Sequence, residues 1–242
     1  MLQKLNPANI VFLDIETVPQ VPHFEDLPEK MQQLWDKKSS RLRTEEETPA
    51  DVYSKAGIFA EFGKIVCISV GVMTRKSEGE YGFRLKSFYG EQEMSLLEEF
   101  AGMIQKFSTR EDPRLCAHNG KEFDFPYIAR RMLVNGVTLP EMLNVPGKKP
   151  WEVPFLDTLE LWKFGDHKHY TSLDLLTHIF QIPTPKDDID GSMVGKVFWE
   201  ENDLERIVQY CEKDVLAVAQ LFLRFRGEEL IKEENIDYIT FS

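Results

Sequence analysis

The sequence predicts an α/β fold built on a mixed central sheet, three antiparallel strands followed by parallel strand structure, with helices on its faces. Three observations carry this. The run Ile10 to Val18 (Ile-Val-Phe-Leu-Asp-Ile-Glu-Thr-Val) is apolar and rich in branched and aromatic residues, as a buried strand is. Two more strand-like runs, Lys64–Thr74 and Gly82–Tyr89, flank the short polar stretch that starts at Arg75, which is a hairpin pattern. Beyond them, helical spacings alternate with one short apolar run, Arg114–His118.

Each element has its own reason. The stretch from Pro19 to Asp51 is punctuated by Pro19, Pro22 and Pro28 and is polar, with helical spacing around Met31, Leu34 and Leu42. It reads as a partly helical surface insertion at 19–51 in a single domain spanning 1–242. Ala56–Glu61 suits a short helix. Glu91–Phe107 places Met94, Leu97, Phe100, Ala101 and Ile104 on one helical face. That crossover leads to Arg114–His118, a fourth strand parallel to the first. Pro126 opens a helix running to about Val134, where its missing N–H is harmless. Phe155–Thr158 leads into another short helix, and Thr171–Ile179 is helical. Asp203 caps a long helix to about Phe225, with Ile207, Val208, Cys211, Val215, Val218, Ala219 and Phe222 facing inward. Glu228–Ser242 is a short acidic tail.

Bulk properties narrow the function. The chain has 242 residues and a net charge of −12. That disfavours a protein that coats nucleic acid, because such binding rests on Lys/Arg–phosphate contacts. It does not exclude an enzyme that grips a few nucleotides, and the segment Lys121–Lys186 is neutral. There is no membrane-length apolar run and no signal-peptide pattern. Cys67, Cys116 and Cys211 lack zinc-site spacing and read as reduced, buried thiols, which fits a cytoplasmic protein.

The chemistry begins at Asp14 and Glu16. Side chains two apart on a strand share a face, about 6.5 Å apart. Two carboxylates held together repel unless a cation lies between them, and a hard divalent cation suits oxygen ligands. A strand end with its acids in water is the alternative. Other acids two apart (Glu45/Glu47, Glu78/Glu80, Glu91/Glu93) lie in polar surroundings and read as solvated surface. Asp124 follows the fourth strand in Asn119-Gly-Lys-Glu-Phe-Asp124, as either a site residue or a helix N-cap. Tyr210 and Asp214 lie one helical turn apart, beside the buried stripe, where an unpaired carboxylate would be costly. Asp157 reads as a helix cap more readily than as a site residue. Asp187, Asp188 and Asp190 read mostly as solvated.

In this order, acid-x-acid on the first strand, Asn119-x-x-x-Phe-Asp124 and Tyr210-x-x-x-Asp214, the chain resembles the DEDD superfamily of 3′→5′ exonucleases. It is most similar to the proofreading exonuclease domains of B-family DNA polymerases and their stand-alone bacterial relatives. The resemblance runs from Ile10 to about Phe225. It implies a ribonuclease H-like version of the sheet. One branch of the family has a His five residues before the last Asp; Gln209 stands there, and Tyr210 matches the tyrosine branch instead.

The resemblance further implies that Asp14, Glu16, Asp124 and Asp214 bind two Mg²⁺ or Mn²⁺ ions around a 3′-terminal phosphodiester, one activating water and the other neutralising the leaving oxygen. Tyr210, whose ordinary pKa near 10 makes it a poor base, aims the water. Thr17, Asn119 and Phe123 are the candidate substrate contacts, Phe123 also reading as core. The expected substrate is a single-stranded 3′ end, DNA before RNA, and the product a nucleoside 5′-monophosphate. The competing expectations are an RNA-directed exonuclease or an endonuclease on the same fold, a structural Ca²⁺ site, and a domain that only binds nucleic acid or a protein.

Overall fold

β1 (Ile10–Pro19) lies inside a six-stranded sheet. The computed structural model describes residues 2–77, 80–166, 170–183 and 189–239. β2 (Gly63–Ser77) pairs antiparallel with β1, and β3 (Glu80–Tyr89) antiparallel with β2. After α2 (Glu93–Phe107), β4 (Arg114–Ala117) returns parallel to β1. β5 (Phe155–Asp157) extends that edge and β6 (Ile236–Tyr238) the other, both parallel to their neighbours. The sheet order is β5-β4-β1-β2-β3-β6, with antiparallel and parallel strands mixed as expected.

The alternation along β1 decides what each face meets. Val11, Leu13 and Ile15 pack against Leu97, Phe100 and Ile104 of α2 and against Phe125, Ile128 and Met132 of α3 (Asp124–Val134). Ile10, Phe12, Asp14, Glu16 and Val18 face the other way. That face is covered by α7 (Leu204–Arg226), whose N-cap is Asp203. The N-terminal half of α7 meets Val18, Val66 and Cys67 through Ile207, Val208 and Cys211. Its C-terminal half meets Ile10 and Phe12 through Val215, Val218, Ala219 and Phe222. Asp14 and Glu16 therefore fall between two apolar seams, under a helix.

Three shorter helices complete the order: α4 (Thr158–Lys163), α5 (Leu173–Ile179) and α6 (Val194–Lys196), which runs on as a π-turn over Val197–Glu201. Between β1 and β2, α1 (Glu29–Ser39) buries Trp35 against Tyr53, Phe59 and Phe62, edge to face. The 19–51 stretch is thus anchored through Trp35 to aromatic residues that follow it in the chain.

Several expected elements differ in detail. The expected 56–61 helix is a 3₁₀ turn over Tyr53–Ile58. The helix expected to open at Pro126 starts at Asp124, and the one expected from Thr171 starts at Leu173, capped by the Ser172 hydroxyl. The tail supplies β6, because its backbone completes an otherwise open sheet edge. Glu93 is buried, not solvated: its carboxylate accepts from Arg131 Nε at 2.9 Å, Arg131 Nη2 at 2.5 Å and the Ile65 N–H at 2.7 Å. Glu78, Asp187 and Asp188 lie outside the described residues, and Asp190 is exposed.

Gly71 shows how tightly the strands pack on the sheet face beneath α7. A Cβ there would lie 2.0 Å from the buried Phe83 ring, which packs against Phe12. Gly71→Ala is expected to cost about 1–3 kcal/mol by overpacking, read as a lower urea midpoint at unchanged slope.

Candidate active site

Beyond Phe12, β4 no longer pairs with β1, so the Ile15 N–H on that side needs another acceptor. Asp124 supplies it: its carboxylate takes hydrogen bonds from its own backbone N–H and from that of Ile15. Phe123, not Asp124, holds the N-cap position of α3, and Asp124 is the first helical residue. The preceding turn is fixed from outside. The buried Asp157 carboxylate accepts from the backbone N–H groups of Asn119 (2.9 Å) and Lys121 (3.0 Å), and from Leu159 N–H (2.9 Å) as cap of α4. Asn119 adopts φ +62°, a left-handed conformation that Asn tolerates better than most residues.

A cavity of about 570 Å³ opens at this end of the sheet. Asp14, Glu16 and Thr17 of β1, Asn119, Phe123 and Asp124, and Tyr210 and Asp214 of α7 all line it. All eight residues singled out from the sequence are thereby brought together. Thr17 hydrogen-bonds Tyr127 through its side chain, and Phe123 is half-buried, its ring 5.3 Å from that of Tyr127. Ser54, Lys55, Gly57 and Ile58, from the 3₁₀ turn, also line it, as do Tyr170, Gly191, Ser192 and Gly195. Lys55 is the cation of the described lining. No local pattern in the sequence marks these lining residues, because tertiary tethers bring them in: Tyr127 Oη donates to Gly57 O at 2.7 Å, and Arg131 Nη1 to Ala60 O at 2.8 Å.

The electrostatics are those of acids crowded out of water. Burial raises Asp14 well above the ordinary carboxylate range, and the charges of Asp124, Glu16 and Asp214 add to it. Burial and the Asp214 charge do the same to Glu16. Asp124 rises from 3.8 to about 7, through burial first, opposed by the two N–H groups it accepts. Its Oδ1 has no hydrogen-bond partner. Tyr210, hydrogen-bonded to Asp214, is pushed far above the ordinary phenol range by burial and by the Asp214, Glu16 and Asp14 charges. His118 also lines the cavity, but both ring nitrogens are engaged, Nδ1 with Thr158 Oγ1 and Nε2 with Thr171 O, each at 2.9 Å. A ring nitrogen facing a carbonyl carries the proton, and burial lowers the His118 pKa, so the ring is neutral and held.

These features fit a hard divalent cation. An orphaned buried carboxylate oxygen, and acids that raise one another's pKa, are what positive charge with oxygen preference relieves. One further ligand-type group stands among them, the Cys211 thiol, which the sequence marked as buried but not as part of a site.

Residues 58–237 match a family described as predicted 3′-5′ exonuclease related to the exonuclease domain of PolB. The matched span begins after β1, so Asp14 and Glu16 lie outside it. Among solved structures, the family B DNA polymerase from the hyperthermophilic archaeon Pyrobaculum calidifontis is similar over 88% of this chain, at 17% identity and a TM-score of 0.53. The chain spans 24% of that polymerase. At this identity the likeness concerns the fold, a sheet of mixed direction flanked by helices. No helix among the described residues is long and apolar enough to cross a membrane.

Proposed function

Because the chain belongs to the family of predicted 3′-5′ exonucleases related to the exonuclease domain of PolB, we propose that it hydrolyses the 3′-terminal phosphodiester of a single strand with divalent metal ions, as a member of the tyrosine branch. DNA is favoured over RNA, and the product is a nucleoside 5′-monophosphate. The observation that carries this reading is the convergence of Asp14, Glu16, Asp124 and Asp214 on one cavity with Tyr210 beside them.

Asp14, Glu16, Asp124 and Asp214 would hold two Mg²⁺ or Mn²⁺ ions, which supply Lewis-acid charge to the attacking and leaving oxygens of an in-line displacement. The chain's own groups do the rest. A phenol with an ordinary pKa near 10 is protonated at neutral pH, and burial raises Tyr210 further, so its hydroxyl positions the attacking water by hydrogen bonding. The neutral, doubly engaged His118 is not available as a base. The backbone of Thr17, the Asn119 side chain and the Phe123 ring receive the terminal nucleotides, and Lys55 offers a cation to a phosphate in the cavity. The bond that breaks joins phosphorus to the 3′-oxygen of the penultimate nucleotide.

The test is a gel assay with 3′- and 5′-labelled linear strands and closed circles of DNA and RNA, with Mg²⁺, Mn²⁺ or chelator. Expected are immediate release of the 3′ label as a mononucleotide, a shortening ladder from the 5′ label, intact circles, and no reaction with chelator. Cut circles would make the protein an endonuclease, and faster loss of RNA would reverse the substrate preference. Asp14→Ala and Asp214→Ala should abolish the reaction while circular dichroism stays unchanged. For Tyr210→Phe, turnover should fall on the order of 10²-fold while calorimetry still detects Mn²⁺ binding. Lost metal affinity in that variant would refute a water-aiming role.

A further inference from the structure

Behind the acids lies a group that this reaction does not use. Cys211 is fully buried on α7, with Sγ 3.4 Å from Asp14 O and 3.5 Å from Asp14 Oδ2. That sulfur and one carboxylate oxygen each of Asp14 and Glu16 all lie within 4.8 Å of one another. Cys67 stands opposite Glu16 in the β1–β2 register and hydrogen-bonds Cys211, so two thiols back the acid pair. The orphaned Oδ1 of buried Asp124 belongs to the same cavity.

A donor set selects its cation. Mg²⁺ takes oxygen in near-octahedral geometry and keeps several waters. Zn²⁺ takes thiolate sulfur at about 2.3 Å and carboxylate oxygen at about 2.0–2.2 Å in a tetrahedron. Those two bond lengths set a sulfur-to-oxygen edge of about 3.5 Å. The Cys211–Asp14 separation already has that value.

We propose that Asp14, Glu16 and Cys211 form a site for a thiophilic divalent cation of the zinc class, in competition with oxygen-preferring ions for the same two carboxylates. On binding, the Cys211 S–H bond breaks, the proton leaves to solvent and a sulfur–metal bond forms, with no change in oxidation state. Held this way, Asp14 and Glu16 are withdrawn from Mg²⁺, so zinc antagonises Mg²⁺-supported turnover. The antagonism rests on the exonuclease reading; the binding does not.

The test is titration of the metal-free full chain with Cd²⁺ and Co²⁺, followed by thiolate-to-metal charge-transfer absorption. The wild type should develop the band and saturate. Cys116→Ser should keep it, because Cys116 lies beneath the far half of α7 in a separate apolar cluster. Cys211→Ser should lose it and bind Zn²⁺ more weakly by more than the roughly 10–100-fold that losing an outer-shell partner costs. No band in the wild type overturns the proposal whether or not Cys211→Ser folds, and so does a band that survives Cys211→Ser. The two readings fail separately: a band without nuclease activity leaves the zinc-class site standing, and Mg²⁺-dependent activity without a band leaves the exonuclease standing.

Discussion

Asp124→Asn is expected to cut 3′-end hydrolysis on the order of 10³-fold or more and, at the same time, to make the metal-free protein harder to unfold at neutral pH. The second effect follows from the first residue's predicament. Burial and the nearby acids raise the Asp124 pKa from 3.8 to about 7. The folded chain therefore binds this proton to a higher pH than the unfolded chain does. Its contribution to stability is complete below about pH 4 and declines as pH rises through about 7. At about 1.4 kcal/mol per unit the effect amounts to a few kcal/mol. The difference in urea unfolding free energy between variant and wild type, with chelator, should be small near pH 4, grow in the variant's favour and level off above pH 7. Saturating Mg²⁺ should reverse the ranking, because only the wild type keeps the full acid set. A difference that is flat with pH would mean that Asp124 is not held in this way.

Arg131→Met is expected to cost about 3–5 kcal/mol, because removing one partner of a buried ion pair strands the other. The pair is 5% and 7% exposed at its side chains, and Glu93 also accepts from the Asn135 side chain and the Ile65 backbone. Arg131 donates in addition to Ala60 O, which anchors the turn carrying Ser54, Lys55 and Ile58. Equilibrium unfolding should show the loss, and Glu93→Gln placed on top of Arg131→Met should recover part of it. A double variant as unstable as the sum of the singles would mean that the two side chains act independently.

Which parts of this molecule could be read from the chain depends on how local their cause is. β1, β2, β3, α2 and α7 have enough residues for a period to show, and the acid pair stands out because it interrupts an apolar strand. β5 and β6 are three residues each, too few to carry alternation, and they exist because neighbouring edges hold them. Trp35 sits in a polar sequence, between Leu34 and Asp36, and becomes core only through Tyr53, Phe59 and Phe62. Asp124 has two local readings, site residue and helix N-cap, and taken alone its sequence favours the cap. The choice between them comes from the Ile15 N–H, more than a hundred positions away. Glu93 looked like one more surface acid because Arg131 is invisible to its local pattern. Lys55 and Cys211 carry the same lesson, one brought to the cavity by a tethered turn and the other by the registry of a helix.

That registry has a further consequence. Beneath α7, polar side chains run across the sheet from the acids: Cys211 to Cys67, Cys67 Sγ to Ser69 Oγ at 3.5 Å, Ser69 to Ser87 at 2.8 Å, and Ser87 to Glu212 at 2.7 Å. A helix resting on aliphatic groups alone can slip a turn, about 5.4 Å, and find new partners of similar worth. Here a slip would break the two contacts that α7 itself makes with the row, Cys211 to Cys67 and Glu212 to Ser87, and leave their partners on the sheet unmatched, at about 1–3 kcal/mol apiece. The row works as an indexing pin, and it fixes the height at which Tyr210 and Asp214 meet the first strand.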